Sequence, residues 1–211
     1  MEEREKRAAL IEAMLPDVPF DGWTRAALGA AATRIGIDEA ELAALFPGGA
    51  RDTVACFSRW ADRRMLAALA GKELAAMKVR ERVALAVRTR LSLLEPYREA
   101  VRRALSLLAL PQNAALGLRL LYETVDAVWY AAGDTATDFN FYTKRGLLAG
   151  VVAATTLYWL DDRSEGGSES EAFLDRRLAD VMALPRIGAR LRQSAEWLPN
   201  PFRLMRVMRR H

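Results

Sequence analysis

Apolar residues recur at three- and four-residue intervals along nearly all of this 211-residue chain, and no stretch alternates apolar and polar residues two by two. That spacing lines apolar side chains along one side of a helix, whereas a half-buried strand needs a period of two. The pattern therefore predicts an all-α fold. Punctuation at Gly36, Pro47-Gly48-Gly49, Gly71, Pro96, Pro111, Gly133 and Gly166-Gly167 cuts it into about ten helices: 2–15, 24–34, 38–46, 51–70, 72–94, 96–109, 112–132, 138–160, 169–184 and 186–208. Pro16 and Pro19 end the first. Asp38 with Glu41, and Ser168 with Glu171, have the pattern of capping boxes. The longest uncharged apolar run, 146–160, is too short at ~1.5 Å per residue to cross the ~30 Å core of a bilayer.

The residue types present narrow the chemistry. The chain has one cysteine, Cys56, and one histidine, His211. A disulfide framework, a cysteine-cluster zinc site, a serine–histidine–aspartate triad and helical Glu-x-x-His pairs for two irons are all excluded. No glycine-rich phosphate loop is present. The run Asp161-Asp162-Arg163-Ser164-Glu165-Gly166 lacks the ligand spacing of a calcium loop and reads as a solvated acidic loop. Cys56, among Val54, Ala55 and Phe57, reads as buried and inert. The expectation is a chain that is not an enzyme and carries no metal or cofactor. Net charge is +4 from 31 basic and 27 acidic residues, a balance that does not by itself indicate a nucleic-acid binder. The acidic start, Met-Glu-Glu-Arg-Glu-Lys-Arg, is unlike a secretory signal or a transit peptide.

Residues 24–46 form a helix-turn-helix pattern: Ala27, Leu28, Ala31 and Ala32, a tight turn at Gly36-Ile37, then Leu42 and Leu45, followed by Phe46-Pro47. The pattern resembles the N-terminal module of TetR-type regulators and implies a DNA-binding repressor. The second helix argues against that reading. It carries Asp38, Glu39 and Glu41 and no Lys or Arg between Ile37 and Phe46. Carboxylates entering a major groove are repelled by phosphate and forfeit counterion release. Arg34 and Arg51 keep some phosphate contact open. No nucleic-acid partner is expected, and a repressor with a hydrophobic effector is the alternative reading.

A second resemblance is more specific. Gly133-Asp134-Thr135-Ala136-Thr137-Asp138-Phe139-Asn140-Phe141-Tyr142-Thr143-Lys144-Arg145, then Leu147 to Val151, Thr156 to Leu160 and Phe173 to Met182, resemble the "nine" family of coenzyme Q (ubiquinone) biosynthesis accessory proteins. The resemblance is densest over 123–182 and weaker over 20–122. It implies a TetR-like fold with a helix-turn-helix-like module at 1–70 and a helical lipid-binding and dimerisation domain at 71–211. It further implies a homodimer, an apolar tunnel for an isoprenoid quinone or phospholipid, and docking onto the demethoxyubiquinone hydroxylase, a di-iron enzyme. On it, the partner patch maps to Val128, Trp129, Asp134, Asp138, Phe141 and Tyr142, with Phe141 standing where relatives carry Trp. Read from the residues alone, Phe139 and Tyr142 share a face that turns Phe141 outward among polar groups, as in a docking hot spot; the other reading of this segment is helix capping by Asp138.

Residues 146–154 are apolar all round, which predicts burial on every side. Their small residues either let helices approach closely or leave room for a guest. The candidate lipid-binding residues are Leu147, Gly150, Val151, Ala154 and Trp159, with the 105–121 stripe, Met77 and Trp129 as further lining. At the end of the chain, Arg203, Arg206, Arg209 and Arg210 gather opposite Leu204, Met205, Val207 and Met208, after Phe202. That basic amphipathic helix suits an anionic bilayer surface; the other reading is a helix docked on its own domain. The implied location is cytoplasmic, peripheral on the inner face of a bacterial membrane.

Overall fold

A computed structural model describes the backbone of residues 2–133 and 140–195, and the side chains of 2–133 and 145–181. The described residues form ten α-helices and no strand: α1 (Glu3–Met14), α2 (Val18–Asp21), α3 (Arg25–Arg34), α4 (Glu39–Leu45), α5 (Ala50–Leu69), α6 (Val79–Leu94), α7 (Arg98–Leu108), α8 (Ala114–Ala131), α9 (Asn140–Asp161) and α10 (Ser168–Ala195). Short 3-10 turns at Glu95–Tyr97, Pro111–Asn113 and Glu165–Gly167 join the later helices. The all-α expectation holds.

The long α5 is the spine. It packs against α1 on one side and against α6 and α8 on the other, so a continuous core runs from Leu10 and Met14 through Met65 and Leu94 to Val125 and Leu174. An aromatic ladder of Trp23, Phe57, Trp60 and Tyr97, with ring centroids 4.9 to 5.9 Å apart, crosses from the N-terminal helices toward α7. Its polar edges are satisfied: the Trp23 indole donates to the Ala100 carbonyl at 3.0 Å and the Trp60 indole to Glu12 at 2.9 Å. Buried aromatics with a paired N–H contribute both area and register.

The helix-turn-helix pair is present as α3 and α4. Gly36 makes the turn with φ of 75°, a left-handed conformation that disfavours a side chain. Asp38 caps α4, accepting from the Glu41 amide at 2.8 Å. The outward face of α4 offers Glu39, Ala40, Ala43 and Ala44, while Glu41 is drawn into an ion pair with Lys6 of α1. Arg34, one of the two arginines that left phosphate contact open, is engaged by Asp17 and by the Ala13 carbonyl.

Two boundaries differ from expectation. The helix expected from 72 begins at Val79, because the Glu81 carboxylate accepts from the Lys78 amide and ends a stretch of turns there. The expected break at 184–186 is absent: α10 continues to Ala195, since a proline removes one helical hydrogen bond without forbidding the turns beyond it. The first turn of α10 is capped from outside. Asp162 accepts from the Ser170 amide at 2.8 Å, and the Ser164 hydroxyl accepts from the Glu169 amide at 3.0 Å. Asp162 is buried rather than solvated.

Candidate functional site

Where α5 through α9 converge, the core does not close. A cavity of about 350 Å³ lies there, within the size range of small-molecule sites. Its wall is mostly apolar: Phe57, Leu94, Val101, Leu105, Leu108, Leu120, Leu121, Val152 and Leu157. Small residues keep it open. Ala104 of α7, Gly117 of α8 and Ala153 of α9 take the wall positions that larger side chains would fill. A Cβ at Gly117 would sit 3.4 Å from the Leu108 Cβ, an ordinary contact between α7 and α8.

Among the apolar groups the wall carries Ser58, Arg90, Thr124 and Thr156. The Arg90 Nε donates to Asp62 at 2.7 Å, and the Thr124 hydroxyl donates to both oxygens of the same carboxylate at 3.1 Å. Asp62 is 6% exposed. Burying these charges is tolerable because each has an opposite charge or a hydrogen-bond donor against it. A second ion pair braces α5 against α8, with Arg59 forked onto Glu123 at 2.7 and 3.0 Å. That fork, joined by Arg119, holds the Glu123 carboxyl below its ordinary range although burial opposes ionisation.

A larger groove of about 630 Å³ lies at the C-terminal end of α9, lined by Arg88, Arg98, Trp159, Asp162 and Arg163. Its polar groups mostly serve each other. Arg98 pairs with Glu95 at 2.8 Å and stacks over Trp159, Arg88 pairs with Asp175 at 2.7 Å, and the Trp159 indole donates to Glu95 at 2.9 Å. Burial disfavours the Asp162 anion, yet hydrogen bonds from the hydroxyls and amides of Ser164 and Ser170 outweigh it and hold the carboxyl well below the carboxylate range. The groove reads as a braced joint between α6, α9 and α10.

The expected residues fall in several places. Residues 146–154 are not buried all round: Leu148, Ala149, Val151 and Val152 are buried, whereas Gly146 and Gly150 are exposed and Ala153 and Ala154 half-buried. None of the five expected lipid-binding residues lines the cavity. Leu147 and Ala154 are half-buried, Gly150 faces open space, Val151 is core and Trp159 belongs to the polar groove. Helix α9 does contribute, one register away, through Val152, Ala153, Thr156 and Leu157. The 105–121 stripe supplies Leu105, Leu108, Gly117, Leu120 and Leu121, while Met77 and Trp129 lie elsewhere. Arg90, Asp62 and Thr124 were not anticipated. The available signal was an aspartate set in the apolar stripe of Trp60, Ala61, Met65 and Leu69.

Of the expected partner patch, Val128 is fully buried and is part of the core, because it sits on the inner side of α8. Trp129 packs half-buried against the core, and its indole N–H has no partner among the described residues. Gly133, with φ of 74°, ends α8, and Arg82 donates to the Ala132 carbonyl at 3.1 Å. Asp134 and Asp138, and the side chains of Phe141 and Tyr142, lie outside the described residues, as does the segment 202–211.

Comparison with known proteins places this architecture. Residues 114–185 match the COQ9 family model. The match is to COQ9. The stretch covers α8, the 133–145 segment, α9 and the first half of α10, so the resemblance read from 123–182 stands. The chain is 33% identical to the rat "Ubiquinone biosynthesis protein COQ9, mitochondrial" (Rattus norvegicus) over 203 residues, 93% of this chain and 65% of that protein. It is 32% identical to the COQ9 of Homo sapiens over 203 residues, 93% of this chain and 64% of that protein. The COQ9 of Drosophila melanogaster is 32% identical over 182 residues, 84% of this chain and 56% of that protein. The chain thus spans under two thirds of the length of these COQ9 relatives. Among solved structures, a TetR transcriptional regulator from Nitrosomonas europaea superposes with a TM-score of 0.68 at 19% identity, covering 84% of this chain and 98% of that one. It shares the fold. Among the described residues no single helix is long and apolar enough to cross a membrane, and no group of three or more His, Cys, Asp or Glu residues is arranged to hold a metal ion.

Proposed function

We propose that this chain is a non-catalytic accessory protein of ubiquinone biosynthesis that binds an isoprenoid quinone intermediate or a phospholipid and presents it to the demethoxyubiquinone hydroxylase. The observation carrying this reading is the aliphatic cavity bounded by α5 to α9, held open by Ala104, Gly117 and Ala153, in a chain similar to COQ9 proteins. Its physical logic is solvation. Each CH₂ of an isoprenoid tail costs about 0.8 kcal/mol to move into water, so a protein cavity beside the enzyme spares the substrate that transfer. The protein works as a homodimer, docks through the 134–142 segment, and touches the bilayer peripherally through the arginines of 202–211, each worth about 1 kcal/mol near anionic lipid.

The test is organic extraction of the purified full chain followed by mass spectrometry, with pull-down of the hydroxylase in parallel. Co-purifying quinone or phospholipid, together with hydroxylase capture, supports the reading. A protein free of lipid that binds a specific DNA duplex with strong salt dependence supports instead a repressor of TetR type, a role that the carboxylate and alanine face of α4 opposes.

A further inference from the structure

The cavity wall has a polar end and an apolar end. Arg90 and Thr124 mark the first, Leu108 and Gly117 the second; Ser58 and Thr156 also reach the wall, the Thr156 hydroxyl being spent on the Val152 carbonyl at 2.8 Å. Thr124 and Gly117 stand seven positions apart on α8, about 10 Å along its axis. An arginine in an aliphatic wall is expensive unless its donors are used. Arg90 is only 12% exposed, and of its five N–H donors the Nε–H is taken by Asp62. Its two Nη groups have no acceptor among the described residues. The Asp62 carboxylate is committed to Thr124 and Arg90, so the unspent charged capacity of the wall is donation from the Arg90 Nη groups.

Charge decides what would accept it. Arg90 and Asp62 already neutralise one another, so a phosphate brought to this end leaves an uncompensated anion in an aliphatic cavity. A carbonyl oxygen accepts the Nη hydrogens without adding charge. Resting on the reading of the cavity as a lipid site, we propose that Arg90, oriented by Asp62 and Thr124, binds the carbonyl oxygen of a neutral ring-headed lipid such as a quinone, with the tail directed toward Leu108 and Leu157. Arg90 is then the residue by which the site selects quinone over phospholipid.

The test uses the full chain with three probes: a decyl-substituted benzoquinone, decylbenzene, which has the tail without oxygens, and dihexanoyl phosphatidic acid. The variants are Arg90→Met combined with Asp62→Leu, which removes the ion pair as a unit, and Arg90→Lys, which keeps the charge and loses the guanidinium fork. The double variant should remain folded by circular dichroism, keep decylbenzene affinity within about twofold, and lose roughly tenfold or more in benzoquinone affinity, the scale of a hydrogen bond to a charged donor. Arg90→Lys should show a partial loss for the quinone alone, and it carries the test if the double variant does not fold. Unchanged quinone binding in the folded variants overturns the assignment of Arg90 and leaves the cavity reading intact. Phosphatidic acid binding that matches or exceeds quinone binding and depends on Arg90 overturns the neutral-head preference. If the wild-type chain takes up none of the probes, the cavity reading fails and this inference with it.

Discussion

Replacing Gly117 with leucine should make the protein more stable and a worse lipid binder at once. Gly117 sits in α8 and lines the cavity. Removing a glycine from a helix gains up to about 0.8 kcal/mol in propensity. The new Cβ meets the Leu108 Cβ at 3.4 Å, an ordinary contact, so the substitution starts without overlap. Three further carbons enter the cavity at about 0.8 kcal/mol each, and fixing the leucine rotamer returns about 0.5–1 kcal/mol. The net is a stabilisation of about 2 kcal/mol, or roughly 4–8 °C in Tm for a chain of this length. A ligand using the same space loses comparable contacts, about 2–3 kcal/mol and so roughly 30- to 150-fold in affinity. Thermal melts by circular dichroism and a quinone titration read by tryptophan fluorescence measure both. Opposite signs are the signature of a real, usable cavity. A variant that is destabilised while binding quinone as the wild type does would refute it, because the cavity would then be closed in solution and the ligand seated elsewhere.

Asp162→Ala removes the cap of α10 and strands the buried Ser170 amide and hydroxyl; a lost cap of about 1 kcal/mol plus an unsatisfied buried donor at about 1–3 kcal/mol predicts a Tm lower by roughly 5–15 °C. The carboxyls of Asp162 and Glu123 are both depressed in the folded chain, so their stabilisation is complete above the unfolded carboxylate range of about 3.9–4.3 and is lost as pH falls through their folded values. Denaturant midpoints should therefore decline below about pH 5, less steeply in Asp162→Asn; an unchanged slope there removes Asp162 from the account. Phe141→Ala with Tyr142→Ala should weaken hydroxylase capture while helical content and bound lipid persist, and unaltered capture retires the docking segment. Deleting 202–211 should lower sedimentation with anionic liposomes at low salt, where exposed charges are least screened; equal sedimentation at low and high salt retires the surface helix.

The fold was readable because helix periodicity and its punctuation are local. The repeats that place Ala27, Leu28, Ala31 and Ala32 inward, the turn at Gly36 and the cap at Asp38 are where the sequence alone put them. The lack of Lys and Arg on α4 was readable too, whereas the pairing of Glu41 with Lys6 came only from packing. What the local pattern missed was the cap of α10, which comes from Asp162, eight residues before the amide it holds.

The site was only half legible, for a different reason. Periodicity says which residues share a face but not how far apart two faces settle, and a cavity is the difference between that distance and the side chains available to fill it. Sequence pointed to α9 and the 105–121 stripe; packing decided that α9 turns Val152, Ala153, Thr156 and Leu157 to the cavity and leaves Gly150 facing open space. Likewise nothing in the chain order joins Asp62, Arg90 and Thr124, which lie on three helices. They meet only because α5, α6 and α8 pack together, and a buried charge must find its counter-charge wherever the fold brings one within reach.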